Sequence, residues 1–267
     1  MELTKWRKKQ IRMHPVNQAI DALVANAINN QPRSQQKLIG PSEIGTACVR
    51  CLARKLAGVE KLPLNGVEDV AWLPAIGTAV HSMLEEFFNL DNEIRVSYDE
   101  KPRWLIEEKL DIGKIGDHEI TGSCDLYDLE TNTVIDHKIV GQTKLKDVPR
   151  KGPGDQYRIQ AHLYGLGWAL RGYEVNEVAV KFYPRNHINL TAGYFWSEKY
   201  DETIALGALQ RANEIYDSVV TSTNLNEYLK TLETSADCFS CSEYPSLDEL
   251  ETHEDDLFTQ PTPYSRR

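Results

Sequence analysis

The chain has 267 residues, 41% hydrophobic and 26% charged, with 30 Lys and Arg against 40 Asp and Glu for a net charge of -10. That length holds one large domain or two small ones and a full hydrophobic core. No apolar run approaches a membrane span, and the N-terminal Trp6-Arg7-Lys8-Lys9-Gln10-Ile11 is basic and amphipathic rather than signal-like, so cytoplasm is the expected compartment and no membrane is expected as a partner.

In chain order, residues 1–30 read as mostly helical, with Ile20, Leu23, Val24 and Ile28 as an apolar stripe, and residues 31–40 as a polar linker. A short helix is predicted from Pro41 through Leu56 with Ser42 as its cap, then a loop over residues 58–70. The next helix covers about residues 71–89. Ile76, Val80, Met83 and Phe87 make its core stripe, and His81 lies on the shoulder in line with Gly77 and Glu85. Strands are predicted near residues 93–98, 104–111, 118–128 and 133–140, followed by a basic Pro/Gly-rich loop over 141–154. A helix over about 155–171 has Ile159, Leu163 and Leu170 as its stripe. Strands near 175–184 and 191–197 and a long helix over about 201–230 complete the pattern. The expected fold class is α/β, a central mixed β-sheet flanked by helices. The expected organisation is an N-terminal helical segment 1–36, a main domain 37–245 and an acidic, disordered tail 246–267.

The charge is unevenly spread. Residues 243–267 hold seven acids against two arginines, while residues 1–14 carry five basic groups against one acid. Lys144, Lys146, Arg150, Lys151 and Arg158 follow closely on the strand 133–140. Local patches govern contact with a polyanion more than net charge does, although any single one of these lysines is better read as solvated.

The most informative stretch is Gly122-Ser-Cys-Asp125 followed by Asp136-His137-Lys138. With a strand period of two, Asp136 and Lys138 share one face, and Ile135, His137 and Ile139 take the other. In the preceding strand Asp125 and Tyr127 are expected on one face and Cys124 and Leu126 on the other. Glu130-Thr131-Asn132 supplies turn chemistry, so a hairpin is expected with Asp125 and Asp136 meeting at its open side. Two carboxylates and a lysine so gathered can hold a hard divalent cation against a phosphodiester. Alone, His81 reads as a hydrogen-bonded helix histidine, and Gln160 with Tyr164, four apart on one helix face, as ordinary interface polarity. His162 lies on another side and reads as structural.

Of the five cysteines, Cys48-Val-Arg-Cys51 and Cys238-Phe-Ser-Cys241 form two C-x2-C pairs, while Cys124 reads as a buried apolar residue. Four thiolates suit zinc or an iron–sulfur cluster, and the wide separation makes such a site a staple between the two ends of the domain. Disulfides are the alternative, disfavoured in a cytosolic protein.

Taken in order, Gly77-Thr-Ala-Val-His81-Ser-Met-Leu-Glu85, Gly122-Ser-Cys-Asp125, Asp136-His137-Lys138 and Gln160-Ala-His-Leu-Tyr164 resemble the histidine, first acidic, D-x-K and Q-x3-Y motifs of the PD-(D/E)xK nucleases. The likeness is to the RecB-like branch, which includes CRISPR-associated RecB-like and phage recombination exonucleases. Pro41-Ser-Glu-Ile-Gly-Thr-Ala-Cys48-Val-Arg50 resembles the cysteine-bearing opening segment of the cluster-containing members, so the resemblance spans about residues 41–241. It implies a restriction-endonuclease-like core and a metal-dependent DNA exonuclease in recombination, repair or phage DNA replication. DNA with free ends is the implied substrate, recombination or replication proteins the implied partners, and the host cytoplasm the compartment if the chain is phage-encoded. His81, Asp125, Asp136 and the His137 carbonyl would bind Mg2+ or Mn2+, with Glu85 supporting His81. Lys138 would orient the attacking water, and Gln160 and Tyr164 would position the phosphate or Lys138. Lys144, Lys146, Arg150 and Lys151 would hold flanking phosphates. Cys48, Cys51, Cys238 and Cys241 would bind a 4Fe-4S cluster, with structural Zn2+ as the alternative. The relatives commonly place one cysteine before the core and three after it; here the split is two and two. A structure-specific endonuclease on the same core and a non-catalytic DNA-binding module are the other readings.

Overall fold

The computed structural model describes residues 14–30, 39–62, 70–235 and 238–247. The predicted tail beyond residue 247, most of the 31–40 linker, residues 63–69 of the predicted loop and the basic segment 1–13 lie outside the described residues. The chain divides into two compact units, residues 1–37 with 62–79 and residues 38–61 with 80–267. In the first, helix α1 (Pro15–Asn29) buries Ala25 and Ile28. Of the stripe expected there, Ile20, Leu23 and Val24 are exposed.

In the second unit, β1 (Trp104–Ile115), β2 (His118–Asp128), β3 (Thr133–Val140), β4 (Glu177–Pro184) and β5 (Tyr194–Lys199) form one sheet in chain order. All neighbours are antiparallel except β3 and β4, which are parallel. The sheet is therefore mixed and flanked by helices, as the alternation of periods predicts. A parallel pair needs a long crossover, here built from two helices between β3 and β4.

The second crossover helix, following Gly154 and spanning Asp155–Leu170, is buried continuously from Gln160 to Trp168. Its Trp168 packs on Tyr127 at 4.6 Å between ring centroids. A Cβ on Gly167 would stand 2.8 Å from Leu110 Cβ, so the glycine lets this helix lie directly on β1. A helix spanning Glu202–Thr221 covers it from outside with Ala205, Ala208, Leu209 and Ala212. Each fully buried large side chain of this layer contributes roughly 1.5–3 kcal/mol. On the opposite sheet face a smaller cluster joins Leu126, Ile135 and Ala179 with Phe88, Trp104 and Ile106.

Several expectations are corrected. Residues 93–98 are not a strand: one helix runs over Trp72–Ser97. Asn92 fixes its end to β1, its Oδ1 accepting from Arg103 N at 2.9 Å and from Trp104 N at 3.1 Å. Its buried stripe is also out of phase with the prediction. Met83 and Phe87 are 43% and 56% exposed, and Leu84 is the buried residue. The period was legible but the phase was not, because apolar residues lie on nearly every side of this helix. Leu170, expected in the core of its helix, is exposed. Residues 142–151 form a helix rather than a loop, ended by Gly152 at φ 75°. The predicted helix 41–56 is two helices, Pro41–Ile44 and Val49–Leu56, capped first at Gly40 rather than Ser42. The long helix 201–230 breaks at residues 222–224. Asn224 starts its second part, Leu225–Thr231, by accepting from Glu227 N at 2.9 Å.

We number the helices α1 (Pro15–Asn29), α2 (Pro41–Ile44), α3 (Val49–Leu56), α4 (Trp72–Ser97), α5 (Gln142–Lys151), α6 (Asp155–Leu170), α7 (Glu202–Thr221) and α8 (Leu225–Thr231).

Candidate functional site

The ladder between β2 and β3 runs only from Asp128↔Thr133 to Leu126↔Ile135. Beyond it the strands part, and the Asp125 side chain takes over: Oδ2 accepts a 2.6 Å bond from the His137 N–H. β3 keeps strict alternation. Ile135 and His137 face α4, where His137 stacks on Phe88 at 5.6 Å, while Lys138 faces α6 with Nζ 5.2 Å from the Tyr157 ring.

Alternation in β2 fails at Asp125. Cys124 and Tyr127 both meet Trp168 of α6, Cys124 Sγ accepting from Nε1 at 3.3 Å. Leu126 packs with Phe88, and Asp125 Oδ1 lies 3.4 Å from His81 Nδ1, both partners on α4. Asp125 and Tyr127 therefore do not share a face, against the expectation from strict alternation. Across the ladder, Ile106 pairs with Leu126 and Glu108 with Cys124, which sets Glu107 opposite Asp125. Glu107 has φ 50°, rare for a non-glycine residue and rarer inside a strand. Its Oε1 lies 3.9 Å from His81 Nδ1.

His81, Glu107 and Asp125 thus offer three ligand atoms within 4.8 Å of one another. Glu107 is the member that sequence reasoning missed. Its signal is a backbone angle, to which residue spacing is blind. Glu85, expected to support His81, is exposed, and the carboxylates beside His81 are Asp125 and Glu107. Burial pulls the His81 imidazole down, but hydrogen bonds to Asp125 and then Glu107 outweigh it and raise its pKa to about 9. Burial pushes Asp125 up, and the His81 contact outweighs that and holds the carboxyl below the usual range. Two facing carboxylates repel unless a cation sits with them, and here the imidazolium supplies that charge.

Asp136 is not part of that group. It is 1% exposed, and Lys138 Nζ stands 2.7 Å from its Oδ2. Neither Asp136 oxygen accepts a well-formed hydrogen bond despite that ion pair. Burial raises the Asp136 carboxyl to about 6, against the pull of Lys138. Burial alone would lower Lys138, but Asp136 more than offsets it and raises the amine. The set His81, Asp125, Asp136 and Lys138 is therefore divided into two clusters, joined through the peptide of His137. The His137 ring is buried, and desolvation lowers it to about 4, leaving it neutral.

On the α6 side, Gln160 Nε2 donates to Tyr164 Oη at 3.4 Å, and Gln160 Oε1 is buried with no partner among the described residues. A Cβ on Gly122 would meet Pro41 Cγ at 2.6 Å and Tyr164 Cε1 at 3.2 Å, so this glycine of the first acidic motif is a packing requirement. His162 is fully buried and held by Glu198 at 2.7 Å, a structural role as expected.

The basic residues of 144–151 lie on α5. Lys144 Nζ donates to Pro153 O at 2.6 Å. Arg150 and Lys151 pair with Asp147 on their own helix at 3.4 Å and 3.2 Å, and Lys146 is exposed.

Away from this site, Cys48 at the start of α3 and Cys51 within it meet Cys238, which precedes a 3-10 turn (Phe239–Glu243), and Cys241 within that turn, so the four thiols join the N- and C-terminal segments as the spacing predicts. Cys48 Sγ lies 3.6 Å from Cys241 Sγ. Cys51 Sγ lies 3.5 Å from Cys238 Sγ and 3.3 Å from Cys241 Sγ. None is in a disulfide. Cys124 is fully buried apart from them.

No protein-family model matches the chain, and no curated protein matches it either. Solved structures similar to it include a phage-related exonuclease from Haemophilus somnus 129PT, at 15% identity over 70% of this chain and 96% of that one, with TM-score 0.44. An alkaline exonuclease from Laribacter hongkongensis is similar at 10% identity over 74% and 94%, with TM-score 0.43. A structure named SSO0001 is similar at 15% identity over 77% and 87%, with TM-score 0.40. At these identities and TM-scores the likeness carries no argument about activity. No described helix is long and apolar enough to cross a membrane.

Proposed function

We propose that this chain is a metal-dependent nuclease of the RecB-like branch that hydrolyses DNA phosphodiester bonds from free ends. The observation that carries this reading is the pairing of a His81–Glu107–Asp125 ligand group with a buried Asp136–Lys138 pair across one peptide. Carboxylate oxygens with one imidazole suit Mg2+ or Mn2+, with the nitrogen tilting the choice to Mn2+. Asp136 Oδ1 fits the same group: Oδ2 faces Lys138 at 2.7 Å, while Oδ1 is buried with no donor among the described residues, which is costly for a carboxylate oxygen. The His137 carbonyl is the further oxygen ligand in this proposal.

Bound there, the ion would polarise the scissile phosphate and lower the pKa of an attacking water. His81 must first release the proton it holds between Asp125 and Glu107. Lys138, kept protonated by Asp136, sets a fixed positive charge beside the reacting phosphate, where negative charge grows in the transition state. The Gln160 carbonyl oxygen has no partner among the described residues and would orient a water or the Lys138 amine. Lys146, with Arg150 and Lys151 released from their exposed pairs to Asp147, would meet flanking phosphates, giving salt-sensitive binding.

The test supplies linear and closed-circular DNA with Mg2+ or Mn2+. Loss of linear DNA from its ends, with circles intact, is the expected result. Nicking of closed circles would favour an endonuclease on the same core. Binding without cleavage of either would leave a DNA-binding module. Neither binding nor cleavage of either form refutes the reading. A role in recombination, repair or phage DNA replication follows from end-dependent degradation and belongs to the same proposal.

A further inference from the structure

The four cysteines form a site separate from the carboxylate centre, and nothing about it depends on the nuclease reading. We propose that they hold a single tetrahedral zinc ion, not the iron–sulfur cluster that the family resemblance implies.

The sulfur spacing decides between the two. With Zn–S bonds of about 2.3 Å, two sulfurs on one tetrahedral ion stand about 3.8 Å apart. Here the sulfurs stand 3.3, 3.5 and 3.6 Å apart, and all four lie within 4.8 Å of one another. In a 4Fe-4S cluster each thiolate takes a different iron, so the sulfurs sit outside the corners of a cube with the cube between them. Four sulfurs this close enclose one ion.

The ligand order agrees. Cys48 caps α3 and Cys51 lies in its first turn, while Cys238 caps the 3-10 turn that carries Cys241. Each short segment therefore gives two ligands to one point, an arrangement of paired C-x2-C units common for zinc.

The cage is also held by contacts independent of any metal. Arg50 donates to the carbonyls of Lys230 and Leu232 at 3.2 and 2.9 Å, and Arg54 donates to Pro245 O at 3.3 Å. These bonds tie the same two segments that carry the thiols. Cys51 and Cys238 are 187 positions apart, so the ion closes a very long loop, where a cross-link restricts the unfolded chain most. A cavity of about 780 Å³ lined by Arg50, Arg54, Cys238, Cys241 and Tyr244 reaches the outer two thiols, which gives a chelator its path.

The experiment expresses the full chain in iron-replete medium and purifies it without oxygen. It then measures iron, zinc, labile sulfide and the visible spectrum. One zinc per chain, no labile sulfide and a colourless solution are expected. Exchange with Co2+ should give the intense visible bands of a tetrahedral tetrathiolate site. Zinc removal by a strong chelator should lower Tm on the order of 10 °C. Cys241→His should retain zinc, since three thiolates and one imidazole still make a zinc site. A brown protein carrying iron and sulfide in similar amounts overturns the proposal. So does a protein free of zinc whose Tm ignores the chelator.

Discussion

One carboxylate of Asp125 serves two neighbours, Oδ2 accepting from the His137 N–H at 2.6 Å and Oδ1 standing 3.4 Å from His81 Nδ1. It stands in for a strand partner where the β2–β3 ladder ends, and so ties the ligand group to the residue between Asp136 and Lys138. Asp125→Asn keeps the shape but loses the charge. Its DNA cleavage rate should fall on the order of 10²–10³-fold with little change in Tm. Asp125→Ala should in addition leave the buried His137 N–H unpaired and cost about 1–3 kcal/mol in thermal or denaturant unfolding. Undiminished cleavage by either variant would remove Asp125 from the site.

Glu107 faces Asp125 across β1 and β2 in a left-handed backbone conformation, at φ 50°. Such strain persists where the surroundings enforce it, and here it turns a second carboxylate towards His81. Glu107→Gln preserves size and removes the charge. Its Mn2+ affinity, read by electron paramagnetic resonance, should fall about 10–100-fold. If the wild type binds Mn2+ and the variant binds it equally well, Glu107 is not a ligand. If the wild type binds none, the metal reading itself fails.

The part of this arrangement legible in the sequence is the part governed by strict periods. Thr133–Val140 alternates cleanly, so the shared face of Asp136 and Lys138 and the inward ring of His137 followed from a period of two. The paired cysteines converge as their spacing implies. Where the period breaks, the sequence misleads. Opposite the left-handed Glu107, Asp125 and Leu126 both face α4, a break in alternation that no residue type announces. In α4, apolar side chains on all sides hide which stripe is buried, and so His81 reads as a shoulder residue although it faces the sheet. Residues 142–151 carry Pro149, which suggested a loop, but the proline falls in the second half of a short helix ended by Gly152.

Gly122 is a place where sequence and structure give different reasons for one residue. It marks the acidic motif, yet its own requirement is space, since a Cβ would come within 2.6 Å of Pro41 Cγ and 2.8 Å of Pro41 Cδ. Gly122→Ala should cost roughly 1–3 kcal/mol through displacement of α2 and Tyr164. A Tm equal to that of wild type would show that Pro41 yields without cost.

The proton on His81 competes with any metal for the same nitrogen. Its pKa in the folded chain is about 9: burial lowers it, but Asp125 and then Glu107 lift it well above the ordinary 6.5. Stability from this raised pKa is complete below about pH 6.5 and is lost as pH climbs through about 9. Metal affinity runs the other way and should rise over that window as the imidazole loses its proton. Titrating Mn2+ at several pH values checks both signs. In His81→Asn the rise should vanish, because the competing proton is gone.

Lys138 keeps Asp136 ionised in a site that burial makes hostile to charge, the balance leaving the carboxyl at about 6. Lys138→Met removes the amine while retaining much of the chain's volume. Without the cation, desolvation alone acts on Asp136 and carries its pKa above 6. A folded pKa raised above the unfolded value means that ionisation opposes folding. The variant should therefore hold near-wild-type stability around pH 5 and lose stability relative to wild type as pH rises past 6, in urea melts at each pH. Divalent metal should reverse part of that loss if Asp136 is a ligand, since a cation again faces the carboxylate. Cleavage should be lost at every pH, on the order of 10²–10³-fold or more, because no other described amine stands within ion-pair distance of Asp136. A flat stability difference across pH would mean that Asp136 is neutralised by something other than Lys138.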